Sequence, residues 1–491
     1  MAAEPTTEPT TGPSAESSAA PTAEPSARSS LFAPRFLWTT IGSNALVFLG
    51  AFEALAVTTV MPVVSRELDG QTLYSVAFSG MLATSVVGMV VAGLWADRRG
   101  PSGPLIASVL TFTLGLLVAG FATTMGVFIV GRLLQGLGAG AMNVALYVIV
   151  ARVYPAALHP RIFGMFAAAW VLPSLVGPPI AGAIADVFSW HWVFLGVAVL
   201  VVASAAAVLP VLSQLRANRS TDVAAPGNAW TLVWAIVVAA GVLAISLGGE
   251  SGGESGGESG SVLGWLIAAA AFVVVLLALR PLVPRGVLTA RSGLPATILM
   301  RGAVAATFYA AEIYLPLMFV EKYGLSTPVA GLILTVGAIS WASGSAIQSR
   351  IGDRMGHSSV IAIGAVLLVL GIAVQGLTAV FLLSPFVAAA GWLVAGGGMG
   401  LVFPRISTLV LGFSTEKNQG FNSAAMSIAD SVGGATAIAF TGLLFTAATP
   451  IGGTAPFVAA FGLTTLLALG SVAVGLRIGK RRAALQLPVR V

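Results

Sequence analysis

The segment GLWADRRG at Gly93–Gly100 recurs in altered form as SRIGDRMG at Ser349–Gly356, so that Asp-Arg-x-Gly repeats with a shift of 256 residues. A second pair of segments, GRLLQGLGAG at Gly131–Gly140 and GWLVAGGGMG at Gly391–Gly400, shares four glycines at a shift of 260 residues. Two matches at nearly the same shift indicate an internal duplication. They predict two halves of common design, each carrying both segments.

The composition places these halves in a membrane. Of the 491 residues, 57% are hydrophobic and 9% are charged, and the mean hydropathy is +0.95. A soluble domain has roughly 25% charged residues, so this chain has too few to cover itself in water. The absence of cysteine excludes a disulfide framework, a thiol nucleophile and a thiolate metal site. We therefore predict an all-α polytopic membrane protein.

Apolar runs of roughly 20–27 residues alternate with short polar breaks from Phe36 onward, and each run is long enough for a helix to cross about 30 Å of hydrocarbon. They predict fourteen spans, at 37–64, 73–95, 103–121, 124–150, 161–186, 190–212, 229–248, 261–279, 294–319, 327–349, 358–377, 383–411, 420–446 and 455–477. Because the number is even, both termini are expected on the same side of the membrane.

The basic residues give this arrangement an orientation. Of the 24 lysines and arginines, 19 lie in the tails or in loops on the side of the N-terminus, and two, Arg66 and Lys322, lie in loops on the other side. The remaining three, Arg132, Arg301 and Arg405, fall within spans. Cytoplasmic loops carry the excess of basic residues, so both termini are predicted to be cytoplasmic. The high isoelectric point then reports topology, and nucleic-acid binding is not expected.

These patterns divide the chain into five parts. We predict a disordered cytoplasmic tail at 1–35, a six-helix bundle at 36–213, two inserted helices with a Gly/Ser/Glu-rich outer loop at 214–292, a second six-helix bundle at 293–478 and a basic cytoplasmic tail at 479–491. The first tail has too few apolar residues to fold. It also lacks the basic and apolar regions of a secretory signal.

Ionisable residues inside a membrane are costly, and they mark transport pathways or proton relays. Glu53 in the first span and Glu312 in the ninth occupy equivalent helices of the two halves, and Arg132 in the fourth span lies at a depth comparable to Glu53. Desolvation disfavours a charged carboxylate and a nearby guanidinium favours it, so a Glu53–Arg132 pair could titrate during transport. A static structural ion pair is the alternative.

Further polar residues within the spans are candidates for a substrate or proton site. Arg301 and Glu312 are eleven residues apart, which places them on one helix face about three turns apart. Phe308 lies near that face, and we interpret the three as the wall of a cavity. The set is completed by an acid at mid-depth, an amide on the face of Arg132 and an arginine toward the cytoplasm: Asp430, Asn143 and Arg405. For the arginines, snorkelling toward water is the alternative.

Three aromatic residues could also contribute to a binding cavity: Tyr314, Trp341 and Trp392. Their rings could stack on flat or cationic substrates. Packing within the bundle is the alternative.

The repeated Asp-Arg-x-Gly segments are candidates for a cytoplasmic gate. Their members are Gly93, Asp97, Arg98 and Gly100 after the second span, and Asp353, Arg354 and Gly356 after the tenth. A carboxylate there can accept hydrogen bonds from a helix N-terminus of the opposite half, whose dipole favours negative charge. Such a contact would hold the cytoplasmic side shut and would break when the halves rock. An ordinary solvated turn is the alternative.

Small residues and prolines in two spans favour close, sliding contacts between helices. The fourth span carries Gly136, Gly138 and Gly140. In the fifth span, Pro178 removes a backbone donor and favours a kink, while Gly177 and Gly182 permit close packing. Ordinary membrane packing is the alternative.

Together these motifs resemble those of the major facilitator superfamily of transporters, and the fourteen spans are similar to its drug/proton antiporter branch with two extra central helices. The resemblance covers roughly residues 36–478. Gly93–Gly100 resembles the signature loop between helices 2 and 3, although Pro101 and Ser102 replace the usual trailing bases. The residues Arg132, Gln135 and Gly136 resemble the helix 4 signature.

Two further segments carry the resemblance to the antiporters. PSLVGPPIAG at Pro173–Gly182 resembles the helix 5 antiporter signature, with Ala181 for a common glycine, and in the family this segment is thought to limit leakage. Trp190-His191-Trp192 stands where that branch usually has Trp-Arg-Trp. The resemblance implies a secondary transporter that uses the proton gradient as its energy source and needs no cofactor.

The leading hypothesis is proton-coupled export of hydrophobic or amphipathic, including cationic, small molecules by alternating access. A dedicated exporter of an endogenous metabolite or lipid is the alternative. An uptake symporter of the sugar type fits less well because the predicted cavity helices carry few amides and hydroxyls. Short loops disfavour a membrane sensor or scaffold, and the lack of a catalytic constellation disfavours an enzyme.

The remaining expectations concern ligands and location. The three histidines, His159, His191 and His357, are predicted to lie in separate loops, so no metal site is expected. The chain has no Walker sequence, so ATP is not the expected energy source. The expected partners are a small-molecule substrate, protons and the lipid bilayer of a bacterial cytoplasmic membrane, and the protein is expected to be a monomer.

Overall fold

The computed structural model describes residues 31–155, 158–217, 230–248, 258–415 and 418–478 of the chain. Within these residues it contains fourteen helices that are long and apolar enough to cross a membrane. The first eight are α1 (Pro34–Glu67), α2 (Tyr74–Arg99), α3 (Ser102–Gly120), α4 (Met125–Val153), α5 (His159–Val187), α6 (His191–Ala217), α7 (Trp230–Gly248) and α8 (Glu258–Leu279). The others are α9 (Leu294–Tyr323), α10 (Thr327–Met355), α11 (His357–Phe381), α12 (Pro385–Gly412), α13 (Gln419–Ala448) and α14 (Ala455–Ile478).

Each predicted span coincides with one of these helices, which confirms the all-α, multi-pass membrane fold. Most helices extend beyond the predicted apolar run, because helical hydrogen bonding continues where the chain leaves the hydrocarbon. The largest extension relative to a predicted division is in α6, which continues to Ala217, past residue 213. The tails 1–30 and 479–491 and most of the Gly/Ser/Glu-rich loop, 249–257, lie outside the described residues.

The same helix pairs pack in both halves of the molecule. α4 lies against α2 and α3, and α12 lies against α10 and α11. Likewise α1 packs against α5 and α6, and α9 packs against α13 and α14. Each second pair carries helix numbers eight higher than the first, since α7 and α8 stand between two sets of six. The duplication seen in the sequence therefore corresponds to a duplicated packing arrangement.

The inserted helices lie beside the seam between the halves. The halves meet along α2 and α13, and along α5 and α10. α7 packs against α2, α13 and its neighbour α8, and the hydroxyls of Ser79 on α2 and Ser246 on α7 are 2.8 Å apart. Phe272 on α8 meets Phe440 on α13 edge to face. The pair thus touches both halves.

Glycines shared by α4 and α12 lie where these helices meet their neighbours. A Cβ added to Gly138 would be 2.5 Å from the backbone nitrogen of Phe112 on α3, and one added to Gly398 would be 2.5 Å from the carbonyl oxygen of Gly364 on α11. Two of the other three shared pairs would bring a Cβ even closer to backbone atoms of α2 and α10: Gly136, Gly140, Gly396 and Gly400. Small residues that let backbones approach are typical of membrane helix contacts. They explain why glycine recurs at these positions.

Gly138→Ala is expected to destabilise the protein, because the added methyl group would meet the backbone of α3 rather than a movable side chain. Overpacking of this kind costs about 1–3 kcal/mol. Gly126→Ala, in the same helix, is the control, since a Cβ there has no heavy atom within 4 Å. Alanine is also the better helix former. We expect a lower melting temperature in detergent for Gly138→Ala only, and equal values for both variants would refute this account of the glycine.

The glycine that ends each Asp-Arg-x-Gly segment has a backbone reason to be glycine. Gly100 follows α2 with φ 81°, and Gly356 separates α10 from α11 with φ 76°. This left-handed region is readily adopted only by glycine. The repeated glycines therefore allow two equivalent sharp turns, whether or not the preceding acids act as a gate.

Candidate functional site

Contacts between the halves close one side of the molecule, termed here the sealed side, where α1 ends. The Tyr74 hydroxyl on α2 donates a hydrogen bond to the Ile313 carbonyl oxygen on α9 at 2.7 Å. The Tyr74 ring also lies against Tyr314, with centroids 5.8 Å apart. The opposite side, where α1 begins and α14 ends, is termed the tail side.

The Gly-Pro segment of α5 forms a second part of this seal. A Cβ on Gly182 would lie 2.8 Å from the backbone of Pro328 on α10, and one on Gly331 would lie 2.8 Å from the backbone of Pro178. Gly177, in contrast, faces Phe52 on α1, within the first half. Two of the three predicted antiporter residues thus lie directly at the contact between the halves.

Tyr74→Phe is expected to loosen the seal while leaving each half intact. One net hydrogen bond contributes about 1 kcal/mol, which corresponds to about a fivefold change in the balance between sealed and open states. Because the chain has no cysteine, spin labels can be attached at Gln71→Cys and Ser326→Cys, in exposed loops of opposite halves on the sealed side. We expect a larger fraction of long label separations in Tyr74→Phe.

Tyr323→Phe is the matched control for this measurement. The Tyr323 hydroxyl donates to the Leu383 carbonyl oxygen, and both residues belong to the second half. Its loss should leave the separation between halves unchanged. The same distance distribution in wild type and Tyr74→Phe would exclude Tyr74 from the seal.

A buried ion pair joins α1 and α4 in the first half. Arg132 Nη1 donates to Glu53 Oε1 and to Gln135 Oε1, and Arg132 Nε donates to the Ala77 carbonyl oxygen on α2 at 3.2 Å. The side chains of Arg132 and Glu53 are 2% and 1% exposed. Glu53 Oε2 is buried, and no donor to it is found among the described residues. The structure therefore brings together Glu53 and Arg132 with one carboxylate oxygen left unpartnered.

A second ion pair lies in the other half, between α9 and α13, and is termed here the charge pair. Arg301 Nε donates to Asp430 Oδ1 at 2.8 Å. The Arg301 guanidinium carbon lies 3.1 Å from the Phe403 ring centroid, and Nη1 donates to Ser407 Oγ at 3.3 Å. The Tyr309 hydroxyl donates to Asp430 Oδ2 at 3.4 Å. Unlike the buried pair, these side chains are 12% and 19% exposed, so a ligand could reach them.

The prediction that Phe308 lines a cavity along α9 is wrong. Phe308 is only 3% exposed, because its ring is stacked on Trp392 with centroids 4.4 Å apart and meets Trp341 edge to face. Glu312 is partly exposed, and no hydrogen bond or ion pair to it is found within the described part of the chain. Arg301 turns to Asp430 instead. Tyr314 and Trp392 are fully buried packing residues.

α4 carries two exposed polar side chains of the first half. Asn143 is exposed, and Tyr147, one turn further along α4, is 46% exposed. Tyr147 lies within electrostatic range of Arg301 across the seam. Tyr147 was missed in the sequence. Its spacing of four residues from Asn143 is the signal that places both on one helix face.

Arg405 belongs to a different part of the second half. It is 5% exposed and contacts the Gln348 carbonyl oxygen on α10 and His357 Nδ1 on α11, each at 3.1 Å. It thereby ties together the tail-side ends of α10, α11 and α12 and does not join the charge pair.

The expectation that the histidines lie in loops is wrong in detail, since His159, His191 and His357 are the first residues of α5, α6 and α11. Among the described residues, no cluster suited to bind a metal is found.

The predicted gate residues lie at the tail-side ends of α2 and α10. Asp97 and Arg98 are exposed at the end of α2, and no hydrogen bond or ion pair to Asp97 is found in the described ranges. The side chains of Asp353 and Arg354 lie outside the described residues, although their backbone continues α10. Gly93 has no atom near the position of a Cβ. The predicted gate contact is therefore not formed by Asp97 in this conformation.

Comparison with known sequences gives partial matches to named transporters. The chain is 36% identical over 148 residues to the MFS efflux transporter aclA of Aspergillus oryzae, a match that covers 30% of this chain and 27% of that protein. It is 25% identical over 156 residues to the multidrug efflux pump SdrM of Staphylococcus aureus, covering 32% and 35%. The chain thus spans about a quarter to a third of the length of the curated relatives it matches.

Comparison with solved structures covers nearly the whole fold. A crystal structure of a POT family transporter with a thioalcohol-conjugated peptide is 16% identical, with a TM-score of 0.64 over 89% of this chain and 97% of that one. At this identity the likeness concerns the fold alone. The family model of the Major Facilitator Superfamily matches residues 44–438, which include both ion pairs and the residues of the seal. The chain belongs to the Major Facilitator Superfamily.

Proposed function

We propose that this transporter couples the export of hydrophobic and amphipathic small molecules to the inward movement of protons by alternating access. The observation that carries the proposal is the buried Glu53–Arg132 pair, with its unpartnered carboxylate oxygen. An ionisable residue held inside the membrane domain is costly and marks a relay or a pathway. Among the described residues, Glu53 is the acid that pairs with a buried arginine, because Arg301 of the charge pair is partly exposed.

The surroundings of Arg132 support a change of protonation at Glu53. Gln135 Oε1 and the Ala77 carbonyl oxygen accept hydrogen bonds from the guanidinium in addition to Glu53. When Glu53 takes up a proton, Arg132 therefore retains two acceptors in a site that excludes water. A buried cation with no acceptor would be far less stable. Both protonation states of Glu53 are thus compatible with the same fold.

The charge pair is proposed to bind the substrate together with the exposed residues Asn143 and Tyr147 of α4. Arg301 and Asp430 are partly exposed, and Asn143 and Tyr147 are exposed on α4 of the other half. Tyr147 lies within electrostatic range of Arg301. A ligand held between residues of both halves is released when the halves separate, which is the geometry that alternating access requires. The aromatic ring of Phe403 adds apolar surface next to the charges.

The seal supports an exchange of access between the two sides. Both ion pairs lie on the tail side of the contacts made by Tyr74 and Gly182. When these contacts open, the tail-side ends of the halves would approach each other. The Asp97 carboxylate could then accept hydrogen bonds from the N-terminus of a helix in the opposite half. With the tail side in the cytoplasm, as the distribution of basic residues predicts, this conformation accepts substrate from inside. The efflux names of two relatives agree with export.

The test is efflux of ethidium from proteoliposomes that contain the purified protein. An imposed proton gradient is expected to drive ethidium movement, and collapsing the gradient with nigericin should abolish it. Empty liposomes report leakage. Gradient-dependent movement supports the proposal, whereas movement that is independent of the gradient would overturn proton coupling. No movement of ethidium would favour the dedicated exporter of an endogenous metabolite or lipid.

A further inference from the structure

The charge pair is unlike the buried pair because it is both satisfied and accessible. Arg301 donates to Asp430 and Ser407, and Asp430 also accepts from Tyr309, so neither charge lacks a partner in the absence of ligand. The two side chains nevertheless remain 12% and 19% exposed. A ligand that binds here has to compete with a contact that already exists.

This competition selects for a particular ligand charge. A cation that binds Asp430 draws the carboxylate from Arg301 and leaves the guanidinium without its counterion, and an anion that binds Arg301 leaves Asp430 in the same position. A charged group deprived of its partner in a partly desolvated site is costly. A ligand with one positive and one negative group replaces both partners at once, so no charge is left uncompensated.

The groups around the charge pair define the remainder of the ligand. The Phe403 ring lies under the Arg301 guanidinium, and Tyr309 lies beside Asp430. Tyr147 on α4 is 46% exposed and lies within electrostatic range of Arg301. Aromatic surface on both sides of the seam suits a flat apolar body. Charged groups at the edge of this ligand body would then bind Arg301 and Asp430.

We propose that the charge pair binds zwitterionic amphiphiles, with the carboxylate or phosphate of the ligand on Arg301 and its cationic group on Asp430. This inference rests on the proposed function, because it names the substrate class of the same transporter. Such a ligand could be a free aromatic compound or the headgroup of a zwitterionic phospholipid, which share this chemistry.

Three dyes with one xanthene core provide the test. Rhodamine 110 carries a carboxylate and a cationic xanthylium, rhodamine 123 is its methyl ester and hence a cation, and fluorescein is an anion. Binding to the full chain in nanodiscs is measured by fluorescence anisotropy. One charge-assisted contact contributes enough for about a tenfold difference in affinity or more. We expect rhodamine 110 to bind at least about tenfold more tightly than the other two. Equal affinities for the three dyes would overturn the proposal.

Two variants of the charge pair should change this preference in opposite directions. Arg301→Gln leaves Asp430 as the only charge, so rhodamine 123 should gain relative to rhodamine 110. Asp430→Asn leaves Arg301, so fluorescein should gain instead. Arg291→Gln, at an exposed arginine in the segment before α9, should leave the order of affinities unchanged. Parallel losses for all three dyes in both variants would indicate a merely structural pair and would contradict the proposal.

Two further measurements are needed. The first distinguishes a free compound from a lipid as the ligand, and the second distinguishes failure of the zwitterion site from failure of the proposed export. Nanodiscs of phosphatidylethanolamine should weaken rhodamine 110 binding relative to phosphatidylglycerol if the lipid itself is a ligand, and both should give the same affinity if the ligand is a free compound. Ethidium efflux is measured in parallel on proteoliposomes that contain the same purified protein. Efflux without charge preference would overturn the zwitterion site and leave export intact. Charge preference without ethidium efflux would support the zwitterion site and contradict the proposed export of ethidium, in favour of a dedicated exporter.

Discussion

Glu53→Gln is expected to abolish proton-driven efflux from proteoliposomes while leaving the protein folded. Glutamine has the shape of a protonated glutamate and can still accept a hydrogen bond from Arg132, but it cannot release a proton. Arg132 keeps its contacts with Gln135 and the Ala77 carbonyl oxygen. The expected result is a rate of gradient-driven ethidium efflux equal to that of empty liposomes.

The control for this prediction is Asp186→Asn, which changes an exposed acid at the sealed-side end of α5. It should transport ethidium at the wild-type rate. Melting temperatures of both variants in detergent check that folding is preserved. Wild-type efflux by folded Glu53→Gln would exclude Glu53 as the coupling residue and direct attention to Glu312 and Asp430, the other two acids predicted from the sequence as candidates within the spans.

Arg132→Met is expected to be the most destabilising single change at the candidate site. It removes every donor to Glu53 and leaves a carboxylate that is 1% exposed without a counterion. Breaking a buried ion pair by removing one partner costs about 3–5 kcal/mol. The melting temperature in detergent should therefore fall by several degrees, and gradient-driven efflux should be lost with it.

The double variant Arg132→Met with Glu53→Gln separates charge from packing. If the cost of Arg132→Met comes from the stranded carboxylate, removing that charge should restore most of the melting temperature, although efflux stays absent. The coupling between the two changes is then large and favourable, as expected for residues in direct contact. A double variant less stable than Arg132→Met would show that the arginine acts through packing, and the ion pair would lose its role in the proposed relay.

The sequence was informative about the buried pair because depth along a helix can be counted. Glu53 and Arg132 each lie within one long apolar run, and a rise of 1.5 Å per residue places both at a similar level. The repeat identified α1 and α4 as helices of one half. Opposite charges buried in the same half are expected to pair, because an isolated buried charge is costly. Their pairing could therefore be predicted, whereas the part of Gln135 and Ala77 in holding Arg132 could not.

The charge pair could not be predicted by counting residues along a helix. Arg301 and Glu312 share a face of α9 by spacing, yet Arg301 pairs with Asp430, 129 residues away, and Phe308 is buried against Trp392. Spacing determines which residues of one helix point the same way, but it does not determine how that helix is rotated against its neighbours. That rotation depends on the packing of side chains from several helices together.

By itself the sequence determined the number of spans, the duplicated design and the membrane environment of this protein, since apolar length, repeated motifs and composition are properties read along the chain. Only the tertiary structure decided which side of the molecule is sealed, that Arg405 ties three helix ends together outside the site, and that Tyr147 lies within electrostatic range of Arg301 in the other half. These features depend on contacts between residues far apart in the chain. Such contacts follow from the helix packing as a whole and from no single segment.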